Sequence, residues 1–186
     1  MKKRIINREF FERKAEAVAQ DLLGKFICCE NDEQKYQIIE TEAYYHDEKD
    51  EHGKYFCYGV KNDTGENSKT CATIPLFRNP GTWCIYGGQL LLSVTSNKFP
   101  DNVLIKRVKA PNGKTYKTDD IAKKLRLYQK DSKSNYWDFH GLDSLSKEAG
   151  LYLTEGQNVP PNTIINKRRV NIINAQKYNF SLMENK

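Results

Sequence analysis

The spacing of hydrophobic residues predicts a helix near the N-terminus, over Glu9–Leu23. One apolar stripe recurs there at helical intervals and consists of Phe10, Phe11, Ala15, Val18, Leu22 and Leu23. Gly24 follows, and glycine commonly ends a helix. The shorter apolar segments at residues 25–30 and 35–45 predict two strands.

Two adjacent glycines in the middle of the chain predict a β-hairpin. Gly87 and Gly88 separate the apolar segments 82–86 and 89–94, and glycines allow the positive φ angles of a two-residue primed turn. The preceding residues 46–81 contain six glycines and prolines and predict a long irregular segment. In a compact domain such a segment is usually functional or mobile.

The remaining pattern predicts a strand over Asn102–Ala110 and a helix that Thr118 caps. Short turns and strands follow at residues 134–186, with a break at Pro160-Pro161. Strands dominate and most connections are short. We therefore predict one α+β domain over residues 1–186, with a curved antiparallel sheet, a protruding β-hairpin and flanking helices.

Composition excludes several classes of protein. The 186 residues are 38% hydrophobic, and no apolar run approaches the roughly 20 residues of a membrane helix. No apolar segment follows the basic N-terminus, so we expect no secretory signal. Five cysteines without a CxxC pair indicate reduced thiols rather than disulfides or zinc. We expect a cytoplasmic, nucleoid-associated or nuclear protein that is not secreted.

Charge is distributed unevenly along the chain, although the net charge is only +6. Residues 30–51 contain nine acids and two lysines, a net charge of -7. Residues 98–133 contain eleven bases and four acids, a net charge of +7. Both windows are consistent with solvated surface. A second interpretation stays open, a basic face that holds a phosphate backbone beside an acidic active-site strand, and charge alone does not choose between the two.

The acidic window contains two carboxylates on one face of a predicted strand. Strict alternation places five side chains together: Tyr36, Ile38, Glu40, Glu42 and Tyr44. Carboxylates at this i, i+2 spacing lie about 7 Å apart, and one held beside an aromatic ring can serve as a general base. Two alternatives stay open: an edge strand with exposed acids, and a divalent metal bound by Glu40, Glu42 and Asp47.

Several segments occur in the order found in alkyladenine (3-methyladenine) DNA glycosylases. They are residues 10–11, 22–25, 39–44, 80–82, 85–87 and 103–105. The most specific element is Glu40-Thr41-Glu42-Ala43-Tyr44, followed at the right distance by the Tyr-Gly hairpin. The chain resembles this family over residues 8–111, and the resemblance fades after them.

The resemblance implies an enzyme that flips a damaged purine out of duplex DNA and hydrolyses its N-glycosidic bond. Neither a metal nor a covalent intermediate takes part in the family. Glu42 would activate the attacking water, Tyr44 would stack on the flipped base, and His52 would hydrogen-bond it. On the hairpin, Tyr86 would be the wedge that fills the gap in the duplex, and Trp83 would be the second stacking ring.

Further positions depart from the family pattern. Ser93 stands where the family has an Asn that crowds the exocyclic amine of guanine, so guanine lesions would be accepted more readily. Lys106 replaces an Arg that contacts the nucleotide phosphate and helps to position the water. The resemblance assigns phosphate contacts to a larger set: Lys106, Arg107, Lys123, Lys124 and Arg126.

Three functions compete at this point. The first is a monofunctional purine DNA glycosylase without a cofactor, acting as a monomer on double-stranded DNA that carries damaged purines, with no membrane partner. The second is a DNA-binding protein of the same fold that has lost the chemistry, a hypothesis favoured by missing family segments such as the Gly-Pro-Gly-Lys motif. The third is a metal-dependent nuclease that uses the acidic strand.

Overall fold

A computed structural model describes residues 6–30, 32–125, 127, 139–170, 172 and 176–183. The strands are β1 Phe26–Cys29, β2 Asp32–Tyr44, β3 Trp83–Tyr86, β4 Gln89–Ser93, β5 Asn102–Lys109, β6 Thr115–Lys117, β7 Leu151–Thr154, β8 Ile164–Lys167 and β9 Asn179–Leu182. The helices are α1 Ala15–Leu22 and α2 Thr118–Lys124. Short 3-10 turns lie at Arg8–Phe10, Ile74–Phe77, Lys147–Ala149 and Pro161–Thr163.

The strands form one curled antiparallel sheet, in the order β3-β4-β5-β2-β1-β7. β6 pairs with β5, and β9 pairs with both β2 and β8. The long β2 therefore has β5 along one edge, with β1 and then β9 along the other. The predicted α+β class and the predicted hairpin of β3 and β4 are confirmed.

The first helix is shorter than predicted, because α1 begins only at Ala15. Asn7 caps the preceding 3-10 turn by accepting a bond from the Phe10 amide. The carbonyl of Phe11 accepts from the Thr95 amide at 2.9 Å, which is a contact across the fold rather than a helical bond. The fully buried Phe11 thus ends the turn, and the chain starts a separate helix four residues later.

The two faces of the sheet are covered by different parts of the chain. We call the face that packs against α1 and α2 the helix face; its core includes Ile38, Trp83 and Val103. We call the opposite face the loop face. It packs against residues 56–77, and its core includes Tyr44 and Leu104. No helix in the described part of the chain is long and apolar enough to cross a membrane.

Candidate active site

Glu42 lies in the middle of the sheet and not at an edge. It is paired with Leu104 of β5 on one side and Asn179 of β9 on the other, and its side chain is 1% exposed. The alternative of an edge strand with exposed acids is therefore wrong for this residue. A central strand buries its side chains, so a carboxylate there needs polar partners.

Among the residues that the structure describes, three side chains donate to the Glu42 carboxylate. The Tyr44 hydroxyl is 2.9 Å from Oε2, the Lys106 ammonium is 3.3 Å from the same oxygen, and the Asn179 amide nitrogen is 3.0 Å from Oε1. A carboxylate has about four lone-pair sites, so one site is left for another donor. Glu42 can therefore accept one further hydrogen bond without losing a partner.

Glu40 lies on the same face and pairs with two basic side chains, Arg107 and Lys167. Its carboxylate lies 3.0 Å from the Arg107 guanidinium and 3.6 Å from the Lys167 ammonium. The amide nitrogen of Asn179 is 3.0 Å from Glu40 as well as from Glu42. The two acids are consequently linked through one shared amide group.

Two β-bulges produce this arrangement. The β2–β5 register shifts between Ile38 and Glu40, and again between Glu40 and Thr41, where Lys106 is the extra residue on β5. Bulges redirect side chains, and they are common beside active sites. The second bulge lets Lys106 contact Glu42 while its neighbour Arg107 contacts Glu40.

The predicted strict alternation along β2 is wrong, because the first bulge inserts an extra residue, Ile39, between Ile38 and Glu40. Tyr36 and Ile38 belong to the helix-face core together with Ala43, and the Thr41 hydroxyl donates to the carbonyl of Ala19 in α1. They do not share a face with Tyr44. The extra residue at the bulge reverses which side chains point towards the helices.

Aromatic rings connect the carboxylate to the hairpin along the loop face. Tyr44 meets Tyr58 edge-on at 5.6 Å between ring centroids, and Tyr58 meets Tyr86 in the same way at 5.8 Å. The Tyr58 hydroxyl donates to Gln89. Burial, with the nearby charge of Glu42, raises the pKa of Tyr58 to about 12, so this hydroxyl keeps its proton at neutral pH.

The buried Arg169 packs against the ring of Tyr44. The Arg169 guanidinium lies 4.6 Å from the centroid of the Tyr44 ring, donates to the carbonyl of Ala43, and forms an ion pair with Glu48. Burial raises the pKa of Glu48, and the charge of Arg169 opposes that effect. Burial and the charge of Glu42 also raise the pKa of Tyr44, which keeps its hydroxyl a donor.

Tyr86 lies at the tip of the β3–β4 hairpin and is 43% exposed. It pairs with Gln89 across Gly87 and Gly88, whose φ angles of 56° and 81° suit a primed turn. An exposed aromatic residue beside a rigid turn is suited to binding another molecule. The hairpin thus presents an aromatic ring at the open end of the Tyr44–Tyr58–Tyr86 row.

A scan against protein-family models matches the methylpurine-DNA glycosylase family over residues 9–186. The chain belongs to this family. The predicted family is confirmed, and the match extends to the C-terminus, well beyond residue 111. A search of curated proteins returns no match. Membership makes this glycosylase a DNA-repair hydrolase of base excision repair, with DNA as its substrate.

Trp83 does not lie where a stacking residue of this glycosylase would be needed. It is fully buried on the helix face, and its indole N–H donates to the carbonyl of Leu151 at 2.9 Å. Glu42 and Tyr44 lie on the other face of the sheet. The assignment of Trp83 to the base pocket therefore needs correction: it is a core residue, and the rings beside Tyr44 are Tyr58 and Phe56.

The other two predicted pocket residues are not next to Tyr44 either. His52 lies on an exposed turn, where its side chain is 70% exposed and its ring nitrogen is 3.6 Å from Glu51. Ser93 shares the loop face, but it is fully buried and its hydroxyl donates to the carbonyl of Asn79. The structure thus brings Glu42, Tyr44 and Lys106 together and leaves His52 and Ser93 outside this group.

The predicted phosphate-binding residues divide into two groups. Lys106 and Arg107 lie on the loop face and are paired with acids. Lys123 and Lys124 belong to α2, which packs on the helix face, and Lys124 lies 3.1 Å from Asp32. Arg126 lies outside the described residues. The basic residues of α2 are therefore not neighbours of Glu42.

A metal-dependent nuclease would need a group of side chains that bind its metal ion. Within the described ranges, no three His, Cys, Asp or Glu side chains are grouped closely enough to hold a metal ion. Glu40 and Glu42 instead have lysine, arginine and amide partners. Cations at both carboxylates leave little electrostatic reason for a metal to bind.

Asn179, Arg169 and Tyr58 are site residues that the sequence analysis missed. Asn179 and Arg169 lie 137 and 126 positions from the β2 residues that they contact. Only the pairing of β9 with β2 brings Asn179 to Glu42, and no local motif marks either residue. Tyr58 lies in the predicted irregular segment 46–81. That segment has no predicted strand pairing from which the position of the Tyr58 side chain could be deduced.

Proposed function

We propose that this glycosylase is a monofunctional enzyme that removes alkylated or deaminated purines from duplex DNA. Its substrates would be of the 3-methyladenine, 7-methylguanine and hypoxanthine type. The observation that carries the proposal is a buried Glu42 carboxylate with one free acceptor site, directly beside an aromatic row that leads to an exposed hairpin tip.

In this proposal Glu42 is the general base. It accepts a proton from the water that attacks C1′ of the flipped nucleotide. The Lys106 ammonium has three protons and uses one on Glu42, which leaves two for the phosphate of that nucleotide. Its side chain is one-third exposed, so a phosphate can reach it.

The flipped purine would stack on Tyr44, with Tyr58 on its other side. A base between two rings needs about 7 Å between them, twice the 3.4 Å spacing of stacked bases. The two ring centroids are 5.6 Å apart and Tyr44 is 7% exposed. The two rings also meet at 73°, so entry of the base requires Tyr58 to move away from Tyr44 and to turn parallel to it, while Arg169 stays packed against Tyr44.

Tyr86 would serve as the wedge. Inserting an aromatic ring into the duplex offsets part of the unstacking cost of base flipping, which is a few kcal/mol. Tyr86 contacts Tyr58, so insertion at the hairpin tip and opening of the pocket involve neighbouring rings.

The proposal is tested with duplexes that each carry a single lesion: hypoxanthine, 3-methyladenine or 7-methylguanine. Each duplex is incubated with the protein and a chelator, and alkaline cleavage then scores abasic sites. We expect cleavage at the lesion position only, with an undamaged duplex as control. Salt-dependent binding without cleavage of any duplex would instead establish a DNA-binding protein that has lost the chemistry.

A further inference from the structure

We propose that Asn179 is a positioning residue that orients the attacking water together with Glu42. Glu42 would take one proton of the water, and the side-chain carbonyl of Asn179 would accept a hydrogen bond from the other O–H. This inference rests on the proposed glycosylase function and adds a second acceptor to it.

The orientation of the Asn179 amide is fixed by its neighbours. Its nitrogen lies 3.0 Å from Glu40 Oε1 and 3.0 Å from Glu42 Oε1, so each of its two protons has a carboxylate acceptor. The opposite orientation would place the carbonyl oxygen against two carboxylates, where like charges repel. The amide therefore cannot turn without losing both bonds.

The carbonyl oxygen of Asn179 is buried and has no hydrogen-bond partner among the described residues. The whole residue is 1% exposed. Buried acceptors are nearly always satisfied, and an exception needs an explanation such as a catalytic role or a bound water. Because the Asn179 amide is bonded to Glu42 through its nitrogen, we place a water between its carbonyl oxygen and the remaining acceptor site of Glu42, which gives that water two acceptors.

Glu40 fixes the orientation of the Asn179 side chain in this proposal. Arg107 and Lys167 hold the Glu40 carboxylate, and that carboxylate holds one amide proton of Asn179. Glu40 thus fixes the direction of the Asn179 carbonyl without contacting the water. The first acid of the Glu-Thr-Glu run, Glu40, is thereby explained as an anchor for Asn179 and not as a second base.

The reaction step balances with these residues. The water oxygen bonds to C1′ while the bond from C1′ to the purine nitrogen breaks, and its electron pair leaves with the purine. One water proton passes to Glu42. The other proton stays on the oxygen that becomes the C1′ hydroxyl. That O–H donates a hydrogen bond to the side-chain carbonyl of Asn179. The product is an abasic sugar with free purine: an alkylated, cationic purine leaves as the neutral base, and hypoxanthine leaves as an anion that takes a proton from solvent water.

The test is single-turnover purine release by Asn179→Ala, with the exposed Asn166→Ala as matched control. A mispositioned reactant commonly loses about 100-fold in rate, and we expect a loss of that order with lesion-duplex affinity kept within about threefold. Asn166→Ala should match the wild type. Asn179→Ser, which keeps a small donor and acceptor, should be intermediate; circular dichroism checks that each variant is folded.

A second measurement adds methanol as a competing nucleophile. It distinguishes a loss of water positioning in the Asn179→Ala variant from a general structural defect. Methanol has one acidic proton, which goes to Glu42, so it does not need the Asn179 carbonyl. Asn179→Ala should therefore raise the fraction of methyl glycoside among the products, whereas a general loss of structure lowers both products alike. A fraction that does not rise, or a release rate near that of the wild type, overturns the inference.

Failure of this inference is distinguishable from failure of the proposed function. A wild-type protein that releases no purine from any lesion duplex refutes the glycosylase mechanism and Asn179's role with it. An active wild type with an equally active Asn179→Ala variant refutes only the role of Asn179.

Discussion

At the scale of single residues, the site depends on buried polar side chains that have specific partners. Glu42 and Tyr44 were predictable, because they belong to one short motif on one strand. Asn179 and Arg169 were not, because their proximity to β2 arises from sheet pairing across most of the chain. Trp83 was misassigned although alternation was a usable signal: residues three apart in a strand, such as Trp83 and Tyr86, lie on opposite faces of the sheet.

The corrected role of Trp83 predicts an effect on stability and not on lesion binding. Trp83→Phe leaves the carbonyl of Leu151 without its donor, and we expect the free energy of unfolding to fall by about 1–3 kcal/mol. Urea denaturation measures this change. Tyr86→Leu is the matched comparison at the exposed end of β3: its stability should change by less than about 0.5 kcal/mol, while its affinity for a lesion duplex falls. The opposite pattern would restore Trp83 to the pocket.

At the scale of elements, the two bulges in the β2–β5 pair decide which side chains meet. The sequence predicts both strands, but alternation alone places Tyr36 and Ile38 on the wrong face. A bulge depends on how two strands fit each other, and neither strand reveals it alone. The hairpin was predictable in detail because its glycines have a local conformational reason.

The turn of the hairpin predicts a second result. Gly87 has a φ of 56°, and a β-branched residue in this left-handed region is strained by about 1–2 kcal/mol. Nothing lies within 4 Å of a Cβ atom added there, so the strain is in the backbone. We expect Gly87→Val to weaken lesion-duplex binding severalfold, by misplacing Tyr86, in a fluorescence anisotropy titration.

Gly87→Asn is the control for this prediction. Asn tolerates positive φ, and Asn-Gly is a preferred sequence for a two-residue primed turn. Its binding should stay close to that of the wild type. Equal losses in the Val and Asn variants would mean that the glycine has a role other than turn geometry.

At the scale of the whole molecule, the two charged windows meet at three ion pairs in the described part of the chain. Bases of the second window pair with acids of the first: Lys106 with Glu42, Arg107 with Glu40, and Lys124 with Asp32. The pairing of β2 with β5 brings these segments together. In the described residues, part of the basic window thus lies beside acids of β2, and the uneven charge along the chain indicated where these elements meet.

The buried tyrosines predict how stability depends on alkaline pH. Burial raises the pKa of Tyr36, Tyr45 and Tyr58 to about 12, against 10.0 for an unperturbed tyrosine. The native state therefore keeps protons that the unfolded chain loses above about pH 10, so the free energy of unfolding falls as pH rises from 10 to 12. We expect a loss of more than about 1 kcal/mol in urea denaturation over that range. Tyr58→Phe should show a smaller loss than the wild type, and equal losses would contradict the assignment for Tyr58.

The most direct test of the whole account is single-turnover purine release by Glu42→Gln, with Glu33→Gln as control at an exposed position of the same strand. Loss of a general base costs about 100-fold or more. We predict that Glu42→Gln loses at least that much while its lesion-duplex dissociation constant stays within about threefold of the wild type. Glu33→Gln should be unaffected. Release by Glu42→Gln at close to the wild-type rate would contradict the account.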